Sequence, residues 1–235
     1  MVYDKDIREP LFEFLEDIYG RIRILEEIKM GSSRADAVMV TETALFGMEI
    51  KSDADSYARL AGQVKDYDKF YDYNIVVVGT SHAMHIRSHV PEYWGVITVE
   101  MVDGEFDFYV LRKPEKNPKV TWKKKLEILW RPELAQFQTW NQMPKYKGKS
   151  KLFVIGKITE KIPDKIDEKL AEKQISQLLF ERDYTTVAEN LAEYRKGEIQ
   201  KQIDMEKNPQ KQIELMMERE VVKANLRKKK RKKCR

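Results

Sequence analysis

Cysteine is almost missing from this chain. The one present, Cys234, stands next to the last of 235 residues, so no disulfide can form within the chain and a reducing, cytoplasmic setting is expected. No apolar run reaches the roughly 18 residues that a membrane span requires, which argues against a membrane partner. The opening MVYDKDIREP is charged and mixed, without the apolar stretch of a signal peptide. No internal repeat is visible, which argues against a solenoid. The body also lacks a basic surplus. Residues 227–235, RKKKRKKCR, hold eight of the 44 basic residues; without them 39 acids face 36 bases. A polyanion would therefore be met by local patches, a metal site or this tail, not by the charge of the whole body.

What is present is enough for a sizeable core. Hydrophobic residues make up 42% of the chain and aromatics 10%, while 35% charged residues point to exposed helices. Residues 5–19 carry an apolar stripe at helical spacing (Leu11, Phe12, Leu15, Ile18, Tyr19), closed by Gly20. Residues 21–29 alternate as a strand, placing Glu26 on the same face as Ile22, Ile24 and Ile28; an acid there is costly without a partner. MGSS (30–33) is a turn, and 35–41 and 45–51 form a hairpin by length. The SDADS segment offers N-caps for a helix over about 56–72, and NIVVVG (74–79) reads as a strand buried on both faces. Further strands are expected at 95–101 and 106–111. The order predicts an α/β fold with a mixed sheet flanked by helices.

RKPEKNPK (112–119) reads as a polar linker and leads to two short helices divided near Pro132. GKSKLFVIG reads as a short strand or a buried connector. From about 164 the pattern is all-helical, with Thr185 a candidate cap and Asn208-Pro209 opening the last helix. The expected organisation is a core over 1–112, a linker with short helices over 113–149, a helical region over 150–226 and a basic tail over 227–235. The methionines of IELMME suit a helix partner, so a protein partner or a homodimer through the C-terminal helices is expected.

One constellation carries chemistry. Glu49 and Lys51 share a strand face, and Asp36 begins the neighbouring strand of the hairpin, so the three can converge. Two carboxylates there make a hard-oxygen site suited to Mg²⁺ or Mn²⁺, and the lysine can hold a water or offset charge on a phosphate. Gln63 and Tyr67, at i and i+4, share one face of the next helix. Arg34, close to Asp36 in the same strand, is either a phosphate contact or a solvated charge. Lys228, Lys229, Lys230 and Arg231 in the tail are candidate phosphate contacts.

Competing signals are weaker. His82, His85 and His89 would share a face if SHAMHIRSH were one helix, but no cysteine or carboxylate motif surrounds them. Trp94, Trp122, Trp130 and Trp140 suit packing better than stacking on single strands.

The order Asp36, Glu49-Ile50-Lys51, Gln63-x-x-x-Tyr67 resembles the PD-(D/E)xK nuclease superfamily, and its glutamine–tyrosine helix is similar to that of the RecB-type branch. The stretches RADAVMV, GMEIKSD, QVKDY, VVVG, VPEYWGVITV and LWRPEL also resemble a family of small bacterial proteins with locus-type names placed in that superfamily. The likeness covers about residues 1–140. Ala35 stands where the superfamily often has proline. The resemblance implies a restriction-endonuclease-like sheet and a Mg²⁺- or Mn²⁺-dependent deoxyribonuclease. It implies metal binding by Asp36, Glu49 and the Ile50 carbonyl, Lys51 acting on the attacking water, and Gln63 and Tyr67 in support. A further acid is often found upstream; Glu26 is the favoured candidate over Glu16. The alternative is a catalytically silent subunit that binds DNA or a partner in repair or anti-phage defence.

Overall fold

The structure, a computed structural model, describes residues 4–206, 208 and 210–221, with side chains described except at 4, 5 and 185–195. It divides into Met1–Glu181 and Arg182–Arg235. The first unit is built on a six-stranded mixed sheet in the order β1(Arg23–Met30), β2(Ser33–Val40), β3(Leu45–Lys51), β4(Tyr73–Gly79), β5(Gly95–Val102), β6(Glu105–Arg112). Strands β1 to β3 form an antiparallel meander, β3, β4 and β5 run parallel, and β6 returns antiparallel. Helix α2(Leu60–Phe70) makes the crossover from β3 to β4, which parallel pairing demands. Asp103 and Gly104, at φ 51° and 90°, make the tight β5–β6 turn that an Asp-Gly pair favours.

Each face of the sheet buries its own cluster. On one, α1(Asp4–Tyr19) lays Ile7, Leu11 and Leu15 against Met39, Phe46, Met48, Ile75 and Val77. On the other, α2 packs with α4(Trp122–Glu127), α5(Arg131–Trp140), α6(Lys151–Thr159) and α7(Glu168–Phe180) over Val38, Leu45, Val76 and Val78. The predicted α/β class and the element order to residue 112 are as read. Trp94 is fully buried, and Trp122 and Trp140 pack on the same cluster.

Several expectations are corrected. GKSKLFVIG is α6, capped by Ser150, whose hydroxyl accepts from the Phe153 amide at 3.2 Å. Val154, Ile155 and Ile158 of α6 and Ile175 and Leu179 of α7 belong to the sheet's own core, so the first unit ends at Glu181 and not near 149. The supposed linker is tied down: Asn117 is 2% exposed and donates to the carbonyls of Asp68 and Tyr71 at 2.8 and 2.7 Å. Helix α2 starts four residues late, because its expected caps are used elsewhere. Asp55 folds back on Ser52, and Asp53 accepts from Ser81. SHAMHIRSH is not one helix but a four-residue turn of helix, α3(Thr80–Ala83), followed by a 3-10 turn at Ile86–Ser88, so its histidines share no helical face.

The second unit holds α8(Tyr184–Met205) and a helical stretch over 210–221, whose first amide at Gln210 is capped by Asn208. Thr185 lies inside α8, and its side chain is outside the described residues. Lys228, Lys229, Lys230 and Arg231 also lie outside them. Among the described residues, no helix is long and apolar enough to cross a membrane.

Candidate active site

The pairing of β2 with β3 brings the acids together. Ala37 faces Met48, so one step further along the hairpin Asp36 falls opposite Glu49. The Ile50 amide donates to Asp36 Oδ2 at 2.8 Å, in place of a backbone partner. Glu49 and Lys51 alternate onto the α2 face, while the Ile50 side chain is buried in the α1 cluster; only its backbone can serve the site.

Glu49 is the hub. Its side chain is 1% exposed, and its Oε1 accepts from Lys51 Nζ and from Gln63 Nε2. Its Oε2 lies 2.9 Å from the Tyr67 hydroxyl, which is also 2.7 Å from the Met48 carbonyl. Gln63 and Tyr67 reach Glu49 together because α2 repeats its face every four residues. Burial, then the negative charges of Glu49 and Asp36, push the Tyr67 phenol well above its ordinary pKa, so it stays a donor. The close approach of α2 requires Gly47: a Cβ there would lie 2.2 Å from Tyr71 Cδ2 and 2.6 Å from Tyr67 Cδ1.

Asp36, Glu49, Ile50, Lys51 and Gln63 open into one groove of about 870 Å³, which is also lined by Arg8, Glu27, Lys29, Arg34 and Arg59. Of the sequence-predicted residues, Arg34 lines this groove, paired with Glu27. Tyr67 supports it from the core. Glu26 is not in it: its side chain is 48% exposed and pairs with Arg8 at 2.9 Å. The strand phase explains this correction. Glu26 shares the α1 face with Ile22 and Ile24, where Arg8 meets it, whereas Glu49 and Lys51 face α2; Ile28 alone changes cluster, because Glu27 at φ 58° reverses the alternation. Arg8 escaped the sequence reading. Its signal was its position, three residues before Leu11 and seven before Leu15, where a charge intrudes on the apolar stripe.

The donor set suits a hard divalent cation. Asp36 and Glu49 offer carboxylate oxygens, and Gln63 Oε1 is a buried acceptor without a hydrogen-bond partner. Among the described residues no group of three or more His, Cys, Asp or Glu side chains is placed to hold a metal, so neutral oxygens and water would complete the coordination.

A family model, bacteriophage P4 protein cII, matches residues 2–207. The chain belongs to the bacteriophage P4 protein cII family. The match runs through the whole sheet, the groove and α8, so the constellation lies within the family's own span. No curated protein and no solved structure gives a significant match.

Proposed function

We propose that this P4 cII family chain is a metal-dependent nuclease that hydrolyses DNA phosphodiester bonds in the cytoplasm. The observation that carries the reading is the convergence on Glu49 of Lys51, Gln63 and Tyr67, directly across from Asp36 in an open groove. Asp68 is also a buried carboxylate, held by Asn74, Tyr93, Trp94 and Lys119; what supports a functional reading of Glu49 is that Asp36 and Lys51 stand beside it and all three line an open groove.

Asp36 and Glu49, with the Ile50 carbonyl, would hold Mg²⁺ or Mn²⁺; when bound, such an ion polarises a phosphoryl oxygen and lowers the pKa of a bound water. Lys51 sits where it can orient the attacking water and offset charge growing on the phosphate. Gln63 fixes Glu49 through its amide, and its unpartnered Oε1 would be available to accept from a water or to help hold the ion. Tyr67 keeps Glu49 in place from the core side. Lys29, Arg34 and Arg59 at the rim suit the phosphates of a bound strand. In the second unit, Met205, Ile213, Met217 and Val221 are more than half exposed, which supports a protein partner or a second copy there.

The test is cleavage of circular and linear DNA, single- and double-stranded, in EDTA, Mg²⁺ and Mn²⁺. The reading expects cleavage with metal and none in EDTA. DNA retardation of equal strength in all three, with no cleavage, would favour a silent binding subunit.

A further inference from the structure

We propose that Arg8 is a positioning residue: it clamps the β1–β2 kink and thereby sets the Asp36 carboxylate across from Glu49. The consequence for metal binding rests on the nuclease reading; the geometry does not.

The kink belongs to both strands at once. Leu25 faces Val38 and Ile28 faces Ala35, and all four side chains pack on the α2 side of the sheet. Strict alternation would put Leu25 and Ile28 on opposite faces, and Val38 and Ala35 likewise. Both strands therefore reverse phase between these pairs, at Glu27 and Asp36. Glu27 carries the strain, at φ 58°, a conformation costly for any residue but glycine.

Arg8 holds this point from the other face of the sheet. Its side chain is 14% exposed. Nη1 donates to Glu26 Oε2 at 2.9 Å and to the Asp36 carbonyl at 3.2 Å; Nη2 donates to Glu27 Oε1 at 2.8 Å and lies 3.9 Å from Asp36 Oδ1. One guanidinium thus grips the side chains on β1 and the backbone on β2 at the residue where the phase reverses. Lysine has the charge but not the planar fork for these acceptors. Downstream, the placed carboxylate takes the Ile50 amide.

Charge and positioning predict opposite signs. Removing a cation beside a metal site should, by Coulomb attraction alone, tighten the binding of Mn²⁺. Losing the clamp should weaken it. The experiment is Mn²⁺ titration by calorimetry on the full chain as wild type, Arg8→Met and Arg8→Lys, with amide exchange of Ile50 read by NMR and Met48 as internal reference. We expect both variants to bind Mn²⁺ about tenfold or more weakly, the usual size of an effect on a ligand's support. Ile50 exchange should rise in both while Met48 is unchanged. Unchanged or tighter Mn²⁺ binding in Arg8→Met, or wild-type behaviour in Arg8→Lys, would overturn the clamp. If Arg8→Met fails to fold, Arg8→Lys carries the same readouts. If the wild type binds no Mn²⁺, the nuclease reading falls, and Ile50 exchange alone decides whether Arg8 positions Asp36.

Discussion

The Lys125 ammonium meets the Asp72 carboxylate at 2.7 Å with 2% and 3% of their side chains exposed. Asp72 also accepts the Leu45 amide at 2.9 Å, so one carboxylate joins α4 to the start of β3. Removing one partner leaves a buried charge alone. Lys125→Met is expected to cost about 3–5 kcal/mol, and the double change with Asp72→Asn distinctly less than that single change. Urea unfolding measures both. A single-variant loss under about 1 kcal/mol, as for an exposed pair, would contradict this.

Gly47→Ala should damage the site through the core. The added methyl would fall inside contact distance of Tyr71 and Tyr67, and both rings are fully buried with no room to retreat. Overpacking of this kind costs about 1–3 kcal/mol or more. The expected result is a lower denaturation midpoint together with lost cleavage; wild-type stability would show that the rings can shift.

Tyr67→Phe removes one hydroxyl between two acceptors, Met48 O and Glu49 Oε2. The ring packing survives, so the cost should be about 1–3 kcal/mol for the unsatisfied groups, with cleavage reduced about tenfold, the kinetic equivalent of one such bond. Stability and rate equal to wild type would assign Glu49's placement to Lys51 and Gln63 alone.

Asp66 gives the fold a pH signature. Burial acts to raise its pKa, but the hydroxyls of Ser32 and Ser33, Lys69 and the Ser32 amide outweigh it and bring the carboxyl below its ordinary 3.8. A carboxyl depressed on folding stabilises the native state above its unfolded pKa and loses that contribution as pH falls through the folded value. Asp66 fastens the β1–β2 turn at Gly31, which is at φ 54°. Between pH 6 and pH 3, wild type should therefore lose more unfolding free energy than Asp66→Asn; equal losses would contradict it.

The reach of sequence reasoning differs from residue to residue. Asp36, Glu49 and Lys51 were readable because a short hairpin leaves little choice of register, and Gln63 and Tyr67 because residues four apart on a helix share a face. Glu26 lies on the face of Ile22 and Ile24 as read, but that face carries α1 and not the site; only Ile28 leaves it, because alternation assumes an unbroken strand and nothing in LEEIK marks Glu27 for φ 58°. Helix α6 was misread because KLFVIGKIT is apolar enough for either element, and only its packing on α4 and α5 decides. The reach of Arg8 across two strands is a tertiary fact that its position on the stripe hints at and does not specify.

The most direct measurement sets wild type beside Lys51→Ala and Asp36→Ala on supercoiled and linear DNA with Mn²⁺, after thermal unfolding shows all three folded. The account predicts cleavage by wild type and a loss of about a hundredfold or more in each variant, the size seen when a charge-stabilising group leaves a catalytic site. Cleavage at the wild-type rate in either variant would contradict a nuclease centred on Glu49.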